Sequence, residues 1–243
     1  MRTRQLLLET FFRKKTIAIA HIGLLPVYYI AYLSFGAYEP FGIYVLVVAG
    51  ILLPLILSNG IFGNDIRSGR FRSIVTKPVG LVELYLCRVL GLVIQGVIHL
   101  VFASGILLIW HHVTGNANLS NYGLWVLAAM MLFVSSAVLS TTVSIVMKGE
   151  HNSLILLFSF LSCFVISALA QAPTGVFIFE VFSRLLPIIN YCLPPVVMMH
   201  AMCFDGADWR QVAVVCNHTV LLTAAYGGLG ILALYRRQYT PQR

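Results

Sequence analysis

Residues 84–110 read LYLCRVLGLVIQGVIHLVFASGILLIW, a run with one arginine (Arg88), one glutamine (Gln95), one histidine (His99) and no carboxylate. About 20 apolar residues carry an α-helix across the hydrocarbon core of a bilayer. Within that core each backbone N–H and C=O must find its partner inside the segment, which a helix provides and an open strand does not. A helix at the surface of a soluble domain would show a broad polar face, and Arg88, Gln95 and His99 are too few to make one. Barrel strands would appear as segments of about ten residues with alternating polarity. The stretch therefore predicts a membrane-spanning helix.

Working outward, five further runs approach or reach the same length: 16–36, 42–62, 123–147, 153–172 and 212–235. Of the 243 residues, 59% are hydrophobic and only 10% are charged, against roughly 25% charged in soluble domains. The mean hydropathy is +0.90. These features predict an all-α integral membrane protein: one transmembrane domain over 1–243, crossing the bilayer six times. The basic start is followed by a run too long for a signal-peptide core, with no small-residue cleavage pattern after it. The first span is thus expected to be retained.

The formal net charge of +8 could point to nucleic acid, but its distribution does not. Arg2, Arg4, Arg13, Lys14 and Lys15 precede the first span. Arg67, Arg70, Arg72 and Lys77 follow the second, Lys148 follows the fourth, and Arg236, Arg237 and Arg243 follow the sixth. The alternate loops 37–41 and 111–122 contain no lysine or arginine, and 173–211 contains only Arg184 and Arg210. This asymmetry obeys the positive-inside rule and predicts both termini in the cytoplasm. Anionic lipid headgroups are the expected partners of the basic excess, with nucleic acid excluded.

Two flanking segments add to the architecture. Residues 1–15 predict an amphipathic interfacial helix, with Leu7, Leu8, Phe11 and Phe12 on one arc and Arg2, Glu9, Thr10 and Arg13 opposite. Residues 173–211 are apolar enough to enter the membrane, but a single crossing would place the Arg236–Arg237 tail outside. Pro187, Pro194 and Pro195 supply the breaks of a re-entrant hairpin that returns to the side it came from. A plain extramembrane loop is the alternative. Cys192 and Cys203 share this non-cytoplasmic segment, and a disulfide between them is one option.

The loop between the second and third spans carries the most specific pattern. It reads GNDIRSGRFRSIVTKPVGLVELYLCRVLG over 63–91. Asn64 or Asp65 can cap a short helix over 64–77, which Pro78 and Gly80 then stop. Ile66, Phe71, Ile74 and Val75 would be wasted on a solvated loop, so that helix is expected to dock on something.

Asp65, Gly69 four residues on, Ile74, Lys77-Pro78-Val79 and then Arg88 resemble the cytoplasmic loop of ABC type 2 exporter permeases. In that family an acidic residue, a helix glycine and a proline-terminated segment form the coupling helix that docks on the ATPase subunit. Arg70 stands where the family often has threonine, and Gly80-Leu81 where a Ser-Arg pair is common. The resemblance implies a permease subunit of a bacterial plasma (inner) membrane exporter. Such a subunit pairs with a second copy or a related permease and works on a pair of ATP-binding subunits. It also implies outer half-helices between spans five and six. The docking residues it implies are Asp65, Arg67, Gly69, Phe71 and Ile74.

The chain has no Walker A pattern, so it is expected to bind no cofactor itself, with ATP and Mg on the partner subunit. It is not expected to be an enzyme. His111-His112 and Glu150-His151 lack the spacing of a helical zinc site, so no metal site is predicted. Within the spans, Gln95 and His99 share a helix face, and Asn217 is also intramembrane. They are candidates either for a substrate pathway or for interhelix contacts. The serines and threonines of 135–144 predict close helix packing. All eight carboxylates fall in loops or at span ends, which disfavours a carrier driven through buried acids. An apolar interior with sparse polar groups fits a lipid-like or amphipathic cargo. The alternatives are an ATP-independent carrier or channel, and a membrane-embedded lipid-modifying enzyme.

Overall fold

In a computed structural model of the chain, residues 3–12, 40–75, 80–114, 122–147 and 208–239 are described, with positions 151, 154, 156–158, 181, 184, 188 and 191–194. Every regular element among them is an α-helix: α1 (Thr3–Phe12), α2 (Pro40–Leu57), α3 (Gly63–Arg67), α4 (Arg70–Val75), α5 (Leu81–Thr114), α6 (Tyr122–Val146) and α7 (Trp209–Tyr239). Three segments, Leu81–Ile109, Tyr122–Val146 and Trp209–Arg237, are long and apolar enough to cross a membrane. The expected spans 16–36 and 153–172 and the 173–211 hairpin lie outside the described residues, apart from the isolated positions. Cys192 is an exposed free thiol, so the optional Cys192–Cys203 disulfide is not formed.

Helix α6 is the centre of the bundle. Two thirds of its apolar window is buried (67%), against 39% for α5 and 22% for α7. It packs on α2, α7 and α5. Its sequence explains why: Ala128, Ala129, Ser135, Ser136, Ala137, Ser140, Thr141 and Ser144 are all buried, and small side chains let neighbouring backbones approach. Burying the hydroxyls is tolerable because several bond the helix's own carbonyls. Ser135 Oγ donates to the Met131 carbonyl at 2.9 Å and Thr141 Oγ1 to the Ala137 carbonyl at 2.6 Å. Glycines on the partner helices complete the fit. A Cβ at Gly50 of α2 would come 2.7 Å from the Ala129 carbonyl oxygen, and one at Gly96 of α5 would come 2.0 Å from the Phe133 ring.

Two boundaries differ from the sequence expectation. The second span, expected over 42–62, is helical only to Leu57. The chain then turns through residues 58–62, with Asn59 N bonding the Ile56 carbonyl at 3.4 Å and Gly60 at φ +62°. The single helix expected over 64–77 is two short helices, α3 and α4, divided at Ser68 and Gly69. Gly69 has φ +70°, a left-handed conformation that cannot continue a right-handed helix. The predicted helix glycine is a corner.

Candidate functional site

Arg88 lies seven residues into α5, about 10 Å along the axis at 1.5 Å per residue, and is 1% exposed. A guanidinium withdrawn from water is stable only when paired and hydrogen-bonded, and three groups meet it. Its Nη2 lies 3.2 Å from Asp65 Oδ2 and 3.5 Å from Glu9 Oε1. Its Nη1 donates to Thr10 Oγ1 at 3.0 Å. Thr10 in turn donates to the Leu6 carbonyl at 2.8 Å. The same Glu9 oxygen accepts from Arg70 Nη2 at 2.7 Å. Two arginines and two carboxylates, formally neutral together, thereby join α1, α3, α4 and α5.

Close approach of α1 to α5 is built into the sequence at Gly91. A Cβ there would come 2.8 Å from Thr10 Cγ2. The arrangement corrects the helical wheel expected for the N-terminal segment. That wheel set Glu9 and Thr10 on the side opposite Leu7 and Leu8. In the structure Leu6 and Thr10 form the buried face, while Leu8 is 41% exposed. Arg88 is the physical reason, because Thr10 and Glu9 on the polar edge of α1 meet its guanidinium beside Asp65.

The other side of the 58–75 segment is stitched to α6. Ser58 and Ser140 share a hydroxyl–hydroxyl bond. One turn on, Ser144 Oγ accepts from both Phe62 N (3.2 Å) and Gly63 N (3.1 Å). These are backbone donors at the start of α3, where a helix cannot satisfy its own N–H groups. The Phe62 ring stacks on Tyr85 at 6.2 Å between centroids. Tyr85 OH lies 3.0 Å from Thr142 Oγ1, and Thr142 donates to the Tyr226 carbonyl at 2.9 Å. Since threonine has one hydroxyl proton, Tyr85 is the donor in the first of these bonds, and the chain links α5, α6 and α7.

The sequence-predicted residues divide into groups. Asp65, Phe71 and Ile74 are buried within this chain, whereas Arg67 and Gly69 are exposed, together with Arg70 and Arg72. Gln95 joins the Arg88 cluster. With Arg88, Thr10 and Asn64 it lines a small space of about 40 Å³, roomy enough for water. His99 is fully buried one turn further along α5. Asn217 stands exposed on α7 and belongs to neither group. His112 and His151 are exposed, and among the described residues no cluster of three metal-ligating side chains occurs.

Sequence reasoning missed Glu9 and Thr10. The available signal was Arg88 itself, because an arginine inside an apolar span requires an acid. No protein-family model matches the chain, and no curated protein matches it. Functional inference therefore rests on the 65–88 motif and the geometry around it.

Proposed function

We propose that the chain is the membrane-spanning subunit of an ATP-driven exporter of the ABC type 2 kind. In this reading it crosses a bacterial plasma membrane six times with both termini cytoplasmic. It pairs with a second copy or a related permease and is driven by two separate ATPase subunits that hold ATP and Mg. Its cargo is lipid-like or amphipathic.

The observation that carries the reading is the double attachment of the 63–75 segment. Arg88 ties it to α1 and α5, and Ser144 ties it to α6. A push on its exposed corner would be passed to three helices rather than absorbed by a loose loop, which is what a transmission element requires. The docking assignment sharpens accordingly. Arg67 and Gly69 stand at the corner where an ATPase would bear, with Arg70 and Arg72 beside them. Asp65, Phe71 and Ile74 hold that corner rigid from inside.

The test is purification of the tagged full chain from its native membrane. The expected result is a co-purifying P-loop ATPase whose hydrolysis depends on the permease. Arg67→Glu reverses an exposed charge, and Gly69→Pro forces φ to about −65° at a position that needs a positive value. Both should uncouple hydrolysis from the permease. Normal coupling in both variants would sink the docking assignment. A preparation without an ATPase that still moved cargo across sealed vesicles would favour the ATP-independent carrier.

A further inference from the structure

Between the C-terminal ends of α6 and α7 runs a groove of about 420 Å³, lined by Val146, Leu229, Leu232, Ala233, Arg236 and Arg237. The two helix ends are joined where Arg237 Nη2 donates to the Val146 carbonyl at 2.7 Å. That bond satisfies one of the carbonyls that a helix terminus leaves over and uses one of the five N–H donors of the guanidinium. The floor of the groove is apolar and open: Val146 is 59% exposed, Leu229 54% and Leu232 49%. Among the described residues no carboxylate lines it, and the sequence places Lys148 two residues beyond α6.

We propose that this groove is a binding site for an anionic phospholipid of the cytoplasmic leaflet. The phosphate would sit against Arg236 and Arg237, and one acyl chain would run along Val146, Leu229 and Leu232. Charge and polarity select this occupant together. A soluble phosphate would leave the apolar floor unused, and a zwitterionic lipid would gain little from paired guanidiniums. Arginine suits the task because its planar fork bonds phosphate oxygens in pairs. The side is also right, since basic pockets at the cytoplasmic ends of spanning helices hold anionic headgroups. The inference rests on the topology with a cytoplasmic C-terminus and is independent of any ATPase.

The experiment is native mass spectrometry of the full chain in neutral detergent, titrated with phosphatidylglycerol or with phosphatidylcholine of the same acyl chains. One phosphatidylglycerol should be retained in preference, by about fivefold for each arginine engaged. Arg236→Gln alters an exposed side chain and should lower that preference about fivefold without changing phosphatidylcholine retention. Leu232→Trp fills the groove and should reduce retention of both lipids. Equal retention of the two lipids, or an unchanged preference in Arg236→Gln, would overturn the proposal. Access to a C-terminal tag in sealed inside-out and right-side-out vesicles tests the topology separately. A tag reached from the cytoplasmic side without lipid preference refutes the site alone. A tag reached only from the outside refutes the topology on which the site depends.

Discussion

On its α1 and α5 side the 58–75 segment is held by charge; on its α6 side it is held by hydroxyl groups. The charged side has few members, each nearly irreplaceable: Arg88, Asp65 and Thr10 are almost wholly buried, and Glu9 serves two arginines at once. The hydroxyl side distributes the work over Ser58, Ser140, Ser144, Thr142 and Tyr85, each making neutral bonds. A buried charge that loses its partner keeps its full desolvation penalty, whereas a lost neutral bond within a bundle costs far less. The same segment is therefore brittle on one side and forgiving on the other. That asymmetry would suit the transmission element proposed above.

The largest effect should come from removing the charge at the hub. Arg88→Met leaves the Asp65 carboxylate buried without its guanidinium and should destabilise the chain by about 3–5 kcal/mol. Reversible unfolding in mixed micelles measures this. The double variant Arg88→Met with Asp65→Leu removes the orphaned charge as well and should recover most of the loss. If the two single losses simply added in the double variant, the pair would not be coupled, and the contrast between the two sides of the segment would collapse.

Much of this contrast was only half legible in the sequence. Hydrophobic length alone marked the stretches now seen as α5, α6 and α7, because crossing a bilayer imposes a length that few other structures need. An arginine within 84–110 also signalled that some acid must meet it. Which acid could not be read, because Arg88 meets Glu9 and Asp65, residues far from it in sequence. The wheel for α1 failed for a related reason. It sorted side chains by polarity, while the structure sorts them by the one partner that could not be left unsatisfied. Gly69 was visible as a glycine, but its left-handed turn depends on how α3 and α4 pack, which no local pattern states. The serine and threonine run of 135–144 was correctly expected to serve helix packing.

Next in size is the tight crossing of α5 and α6. Gly96→Ala would place a methyl carbon about where the Phe133 ring now lies, on the helix that carries Arg88. Overpacking of this kind costs about 1–3 kcal/mol. Phe133→Leu introduced together with Gly96→Ala makes room for the methyl and should return part of the loss. If Gly96→Ala were neutral, the α5–α6 crossing would not be the tight constraint that the Phe133 contact implies.

The smallest effects belong to the hydroxyl side, and they differ from each other in an instructive way. Ser140→Ala removes one hydroxyl–hydroxyl bond and should cost about 0.6 kcal/mol, the average for interhelical bonds in membrane bundles. Ser144→Ala removes the acceptor for two backbone N–H groups at the start of α3, so it should approach the upper end of that range, about 1.5 kcal/mol. The informative readout is beyond stability. With Ser144 gone, α3 is still held by Asp65 to Arg88, but its first turn is no longer fixed to α6. Hydrogen exchange at Phe62 and Gly63 should then quicken while the amides around Asp65 and Ile66 stay protected. Uniform loss of protection across 58–75 would mean that the two attachments act as one unit, and the division between a charged side and a hydroxyl side would be wrong. Local quickening confined to 62–63 would separate them, with the Asp65–Arg88 pair still holding the segment to α5.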